Sequence, residues 1–174
     1  LNRGAHKDLR IKPLDNLAFS AKAHSVPLTG VEFGKAARDF PILFAGKDIA
    51  DAGPMALLGL RQFENLYVDD GNWSEGAYIP AFVRRYPFVL AEKPAGAEGD
   101  DFTVFLDEAC PAFSQDEGER LFNEDGTDTD MLKNAVRFLG EFQEHVKRTQ
   151  WFMGKLRELD LLEPRNIQVN LGGT

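Results

Sequence analysis

From Met131 to about Leu159 the apolar residues Leu132, Val136, Leu139, Phe142, Val146, Met153 and Leu156 recur at spacings of three, four and seven. That period predicts one amphipathic helix of nearly thirty residues, roughly 43 Å long at 1.5 Å per residue. Asp130 is placed to cap its start, and Glu163-Pro164 to stop it. Most of the apolar segments before it are too short for a second such helix and read as strands, so one long apolar stripe has to be covered largely by sheet.

Those strands cluster instead of alternating with helices. Residues 1–16 read as an arm or a short edge strand. Thr29-Gly-Val-Glu32 is a capping box, with the Thr29 hydroxyl accepting from the third helical amide and Glu32 reaching back, and opens a short helix to about Arg38. Pro41–Ala45 reads as a buried strand closed by Gly46, and Met55–Leu60 as a second apolar run. Arg61–Asn65 is a turn before the strand Leu66–Val68. Asp69-Asp-Gly-Asn72 is a turn signal that suggests a hairpin, with Trp73 just beyond it.

Pro80 suits a first helical position, and Ile79, Phe82, Val83 and Tyr86 share one helical face, with Arg84 and Arg85 pointing away and Pro87 ending the helix. Phe88–Ala91 and Phe102–Asp107 form an antiparallel pair across the Pro- and Gly-rich linker 92–101. Ser114-Gln-Asp-Glu117 is a second capping box, opening a short helix through Phe122. Asn123–Asp130 is an acidic turn, and Ile167, Val169 and Leu171 alternate as a last strand. The expected class is α+β: an antiparallel sheet with short helices, packed against one long C-terminal helix.

The 174 residues fit a single domain with a sizeable core. Fourteen phenylalanines imply that aromatic packing builds it. Net charge is −8, which argues against sequence-independent nucleic-acid binding. Between Glu98 and Asp130 there are twelve acidic residues and one basic one, Arg120, whereas the remainder carries 19 basic and 16 acidic residues. The acidic segment reads as a solvated face, with cation binding or docking on a basic surface as the alternatives. The one cysteine, Cys110, excludes an intrachain disulfide and reads as a small packed residue. No apolar run approaches the ~20 residues of a membrane helix, and no signal peptide is visible.

Catalytic signatures are missing. There is no GxxxxGK[ST], no GxGxxG and no GxSxG elbow. His6, His24 and His145 lack metal-ligand spacing, and no cofactor is expected. With Gly126 at the sixth position of an EF-hand, the first and twelfth would be Leu121 and Leu132, which offer no side-chain oxygen. A looser surface calcium site stays open there beside a plain acidic turn. Asp107 and Glu108 end a strand, as general acid/base pairs can, and as polar strand ends more often do. Arg84 and Arg85 suit a bidentate anion fork, or ion pairs with the acidic segment, or solvent.

An ordered set of segments runs from His24-Ser-Val-Pro-Leu through Phe40-Pro-Ile-Leu-Phe-Ala-Gly46 and Glu64-Asn-Leu-Tyr-Val-Asp69. It continues through Tyr78–Phe88 and Gly118-Glu-Arg-Leu-Phe122 to Glu158-Leu-Asp-Leu-Leu-Glu-Pro164. In these the chain resembles the SapC family of bacterial proteins. The resemblance implies a single SapC-like domain over 1–174, with members continuing beyond Thr174, so that a C-terminal part is expected to be absent or disordered. It carries no catalytic residue. It implies a role linked to bacterial surface-layer formation, in the bacterial cytoplasm or at the cell surface. The leading expectation is a non-enzymatic accessory or structural protein acting through a protein partner or self-association. The alternative is a small-ligand or peptide-binding module around Trp73, Tyr78, Arg84, Arg85 and Tyr86. An enzyme using Asp107 and Glu108 ranks third.

Overall fold

The computed structural model describes residues 1–92 and 102–165. In chain order the strands are β1 (Arg10–Ile11), β2 (Ser25–Pro27), β3 (Ile42–Ala45), β4 (Gly53–Leu57), β5 (Val68–Asp69), β6 (Asn72–Trp73), β7 (Phe88–Glu92), β8 (Phe102–Leu106), β9 (Phe113–Ser114) and β10 (Glu119–Arg120). The α-helices are α1 (Phe33–Ala36), which continues a 3₁₀ turn at Gly30–Glu32, α2 (Ala81–Arg84) and α3 (Asp130–Glu158). The class is α+β, and among the described residues every strand pair is antiparallel. The strands are distributed over four small sheets, ordered β10-β1-β9, β2-β4-β3, β5-β6 and β7-β8.

The chain divides into two compact units: Leu1–Asp15 with Val83–Glu144, and Asn16–Phe82 with the chain from His145 on. In the first unit Leu121, Phe122, Leu132 and Leu139 are almost wholly buried and cluster with Phe88. Leu90, Val104 and Leu106 of the β7–β8 pair and Met131 and Ala135 of α3 close around them. Full burial of such side chains contributes about 1.5–3 kcal/mol each, so this cluster is a large contributor to the unit's stability. Far from forming an edge, β1 is the central strand: Arg10 faces both Arg120 and Ser114. Polar, aperiodic residues 1–16 hid that role because two-residue strands show no alternation.

The helix expected from Ser114 through Phe122 is absent. Ser114 ends β9 and Glu119–Arg120 forms β10. The cap is made, since Ser114 Oγ accepts from the amides of Asp116 and Glu117 at 3.2 and 3.1 Å. Propagation stops at Gly118, whose φ is +98°. A Cβ there would lie 2.5 Å from the Ile11 carbonyl oxygen, so the strand pairing requires glycine.

In the second unit β4 is central, with Val26 and Ile42 both opposite the buried Ala56. The strand expected to be buried, β3, is a half-exposed edge strand, and Phe44 on it is exposed. The hairpin at Asp69–Asn72 forms as expected. Asp70 and Gly71 have φ of +46° and +80°, the sign a two-residue type I′ turn requires at both positions. Trp73 belongs to its second strand, opposite Val68, and does not follow it.

The long helix matches its periodicity, with two corrections at the ends and one on its face. Thr129, not Asp130, caps the start, its Oγ1 accepting from the Leu132 amide at 3.3 Å. The helix ends before Pro164: Asp160 turns left-handed at φ +52°, and the Asp160 and Leu161 amides bond back to Arg157 and Leu156. That is a Schellman close. The buried positions are Leu132, Leu139, Phe142, Thr149 and Met153, and Val136 lies at the edge of this arc and is exposed. The last strand expected at 167–171 and most of the linker 92–101 lie outside the described residues.

Candidate functional site

The buried Thr149 organises one concave surface, in the second unit. Its hydroxyl donates to the His145 carbonyl one turn earlier at 2.6 Å and accepts from the Gly30 amide at 2.8 Å. This pins the Gly30–Glu32 turn to α3 while leaving a groove of about 380 Å³ between them. Val31, Phe33, Trp151 and Phe152 wall it, with His145 and Arg148 beside them. Phe33 meets Phe44 and Phe152 edge-on, with ring centroids 6.3 and 6.4 Å apart. Val31 is 55% and Trp151 68% exposed, so the groove displays large apolar groups to solvent. Sequence reasoning did not single out Trp151. A tryptophan off the apolar stripe of an amphipathic helix was the available signal.

The turn itself is held by Glu32, which is 4% exposed. Its Oε2 accepts from the Thr29 amide and hydroxyl at 2.8 and 2.9 Å. Its Oε1 accepts from the Tyr78 hydroxyl at 3.0 Å and the Ala81 amide at 2.8 Å. The carboxylate of the capping box thus also supplies the acceptor for a first-turn amide of α2. Tyr78, proposed from sequence for a ligand pocket, is a donor to this buried group, and its own amide donates to Asp39. Trp73 packs in the same unit, its indole stacked on Tyr67 with centroids 6.1 Å apart and edge-on to Phe40. Among the described residues the buried Trp73 Nε1 finds no acceptor.

Arg84, Arg85 and Tyr86 belong to the first unit, where they line a cavity of about 260 Å³ with Lys12, Pro87 and Phe138. The guanidinium carbon of Arg84 sits 5.1 Å from the Phe138 ring centroid, and that of Arg85 5.6 Å from the Phe142 centroid. Both arginines therefore bear on the aromatic face of α3. Burial lowers the pKa of Arg85. Burial also pushes the Tyr86 phenol up, and its hydrogen bonds with Cys110 and Asp107 add to that. Of the strand-end carboxylates, Asp107 accepts from the Tyr86 hydroxyl at 3.0 Å and the Ala109 amide at 3.1 Å, and Glu108 meets His6 Nε2 at 3.0 Å.

Among the described residues no three His, Cys, Asp or Glu side chains gather as a metal ion would need, and no helix is long and apolar enough to cross a membrane. In the acidic turn Asp125 accepts from the Thr127 amide and hydroxyl at 2.9 and 2.6 Å, which holds its carboxyl below the usual range.

The family model of SapC matches residues 1–174, the full length of the chain. The chain belongs to the SapC family. No curated protein and no solved structure matches it. Among the concave surfaces of this SapC-family chain are an aromatic groove in one unit and an arginine-lined cavity in the other.

Proposed function

We propose that this SapC-family chain is a non-enzymatic accessory protein that works through protein contacts, its own copies included, in bacterial surface-layer or envelope assembly. The groove of Val31, Phe33, Trp151 and Phe152 supports this reading. Aromatic residues flanked by a cation are what contact centres between proteins are rich in.

A feature that suits the groove occurs in the same unit. The loop between Leu58 and Leu66 carries Phe63 73% exposed at φ +61°, a left-handed conformation that bulky residues rarely adopt. Leu60 and Leu66 beside it are exposed too. An aromatic knob on one copy entering the groove of the next is a heterologous contact. Such contacts propagate into rings or open arrays without needing a second kind of interface.

Light-scattering mass on size exclusion, over two decades of concentration, tests this. The expected result is a mass that climbs with concentration for the unaltered chain and stays at one chain for Trp151→Ser and Phe63→Ser. Both positions are exposed, so the variants should keep their fold. A single-chain mass throughout for the unaltered protein would remove the self-association reading.

A further inference from the structure

We infer that the cavity of the first unit is a binding site for a small organic carboxylate with an apolar body. This goes beyond the assembly reading and concerns a different unit.

The cavity's lining combines two kinds of surface. Lys12, Arg84 and Arg85 bring three cationic side chains to it, and no Asp or Glu is among the described lining residues. Ile11, Leu14, Pro87, Phe88 and Leu139 supply apolar wall. Phe138 and Phe142 lie four residues apart on α3, hence one turn apart on one face. They hold the two guanidiniums at neighbouring levels. The ring faces attract the cations without supplying an acceptor oxygen. A guanidinium has five N–H donors in a planar fork matched to a carboxylate. Lys12 pairs with Glu117 at 3.5 Å in an exposed, weak ion pair, and an ammonium has three donors.

The size and the wall decide between anions. At about 260 Å³ the cavity falls just below the ~300–1,000 Å³ typical of drug-sized ligands. An inorganic phosphate needs donors all round, and here apolar carbon forms much of the wall. A carboxylate carrying a ring or a short branched chain would set its charge against the guanidiniums and its body against Ile11, Leu14 and Leu139.

Scanning calorimetry with sodium benzoate, sodium acetate, inorganic phosphate and benzyl alcohol, at matched ionic strength, tests the proposal. Benzoate is expected to raise the Tm progressively with concentration, as a ligand of the folded state must. Acetate, phosphate and benzyl alcohol should raise it far less. Arg84→Gln should abolish the benzoate shift. Should that variant not fold, Lys12→Glu, at a half-exposed position, decides: it should weaken the apparent benzoate affinity about tenfold, the effect of roughly 1.4 kcal/mol. Trp151→Ser should keep the full shift, since it alters only the other unit's groove. The proposal is overturned by no benzoate shift or by an unchanged shift in Lys12→Glu. It is likewise overturned by a shift matched by acetate or phosphate, or by one lost in Trp151→Ser.

Discussion

Thr29-Gly-Val-Glu32 and Ser114-Gln-Asp-Glu117 carry the same signature and end in different structures. At the first, the chain turns into a 3₁₀ turn and then α1. At the second, it turns and departs as a strand. The difference lies in where the glutamate goes. Glu32 is buried and accepts four hydrogen bonds, two of them from Tyr78 and Ala81, which are 46 and 49 residues on. Glu117 points outward, its side chain 73% exposed, and meets the half-exposed Lys12 at 3.5 Å. A capping box therefore specifies a turn. Whether a helix grows from it depends on the next residue and on what waits to pair with the chain. After Glu32 comes Phe33, packed against Phe152. After Glu117 comes Gly118, left-handed beside Ile11.

The largest expected effect breaks this comparison at its glutamates. Glu32→Ala removes the carboxylate that accepts from the Thr29 and Ala81 amides and the Tyr78 hydroxyl in a water-poor site. Hydrogen bonds to a charged group are worth about 1.5–3 kcal/mol each, so the loss should be at least ~3 kcal/mol. Glu117→Ala should cost no more than about 0.5 kcal/mol, as exposed ion pairs do. Both tryptophans, Trp73 and Trp151, lie in the second unit with Glu32, so urea unfolding followed by their fluorescence reads the first change directly. Far-UV circular dichroism reads the second. Equal losses for the two variants would show that the buried network adds nothing beyond the local turn.

A middle-sized effect belongs to Gly118. Gly118→Ala puts a Cβ at φ +98° and 2.5 Å from the Ile11 carbonyl oxygen. Strain of this kind costs about 1–3 kcal/mol, and here it falls on the pairing of β1 with β10. The expected result is a lower denaturant midpoint by circular dichroism, with the Leu121 amide, which bonds to the Leu9 carbonyl beside that pairing, exchanging faster. A neutral or stabilising Gly118→Ala would mean that the chain prefers the helix the signature implies.

Much of this was legible where one period governs a long stretch. The α3 stripe is visible because 29 residues repeat one pattern, and the Asp70-Gly71 hairpin because its chemistry is local. The pairing of Arg10–Ile11 with residues more than a hundred positions later was not, since two residues carry no period. Pro54 hid the start of β4, because proline argues against a central strand, and here β4 runs from Gly53 with Pro54 buried. The site was half legible. Arg84, Arg85 and Tyr86 do share a cavity, while Trp73 and Tyr78 serve packing and the Glu32 network in the other unit. Lys12 and Phe138 could not be added from sequence, since only tertiary structure brings them to the arginines. The twelve-acid segment reads from sequence as a solvated face, and the aromatic groove and the first unit's cavity each carry arginine instead.

The smallest expected effect sharpens what the second box does. Ser114 Oγ holds the amides of Asp116 and Glu117 in an exposed turn, with water ready to replace it. Loss of a helix cap costs about 0.5–2 kcal/mol, and an exposed turn that starts no helix belongs at the low end of that range. Ser114→Ala should therefore lower stability by roughly 0.5 kcal/mol, and Ser114→Asp should restore it, because a carboxylate accepts from the same two amides. The sharper readout is amide exchange at Asp116 and Glu117, expected to quicken in Ser114→Ala and recover in Ser114→Asp. If exchange there is unchanged in both variants, the turn is held by the pairing of β1 with its two neighbours alone. The serine's place in the box would then be a coincidence of sequence, and only the first box would deserve the name.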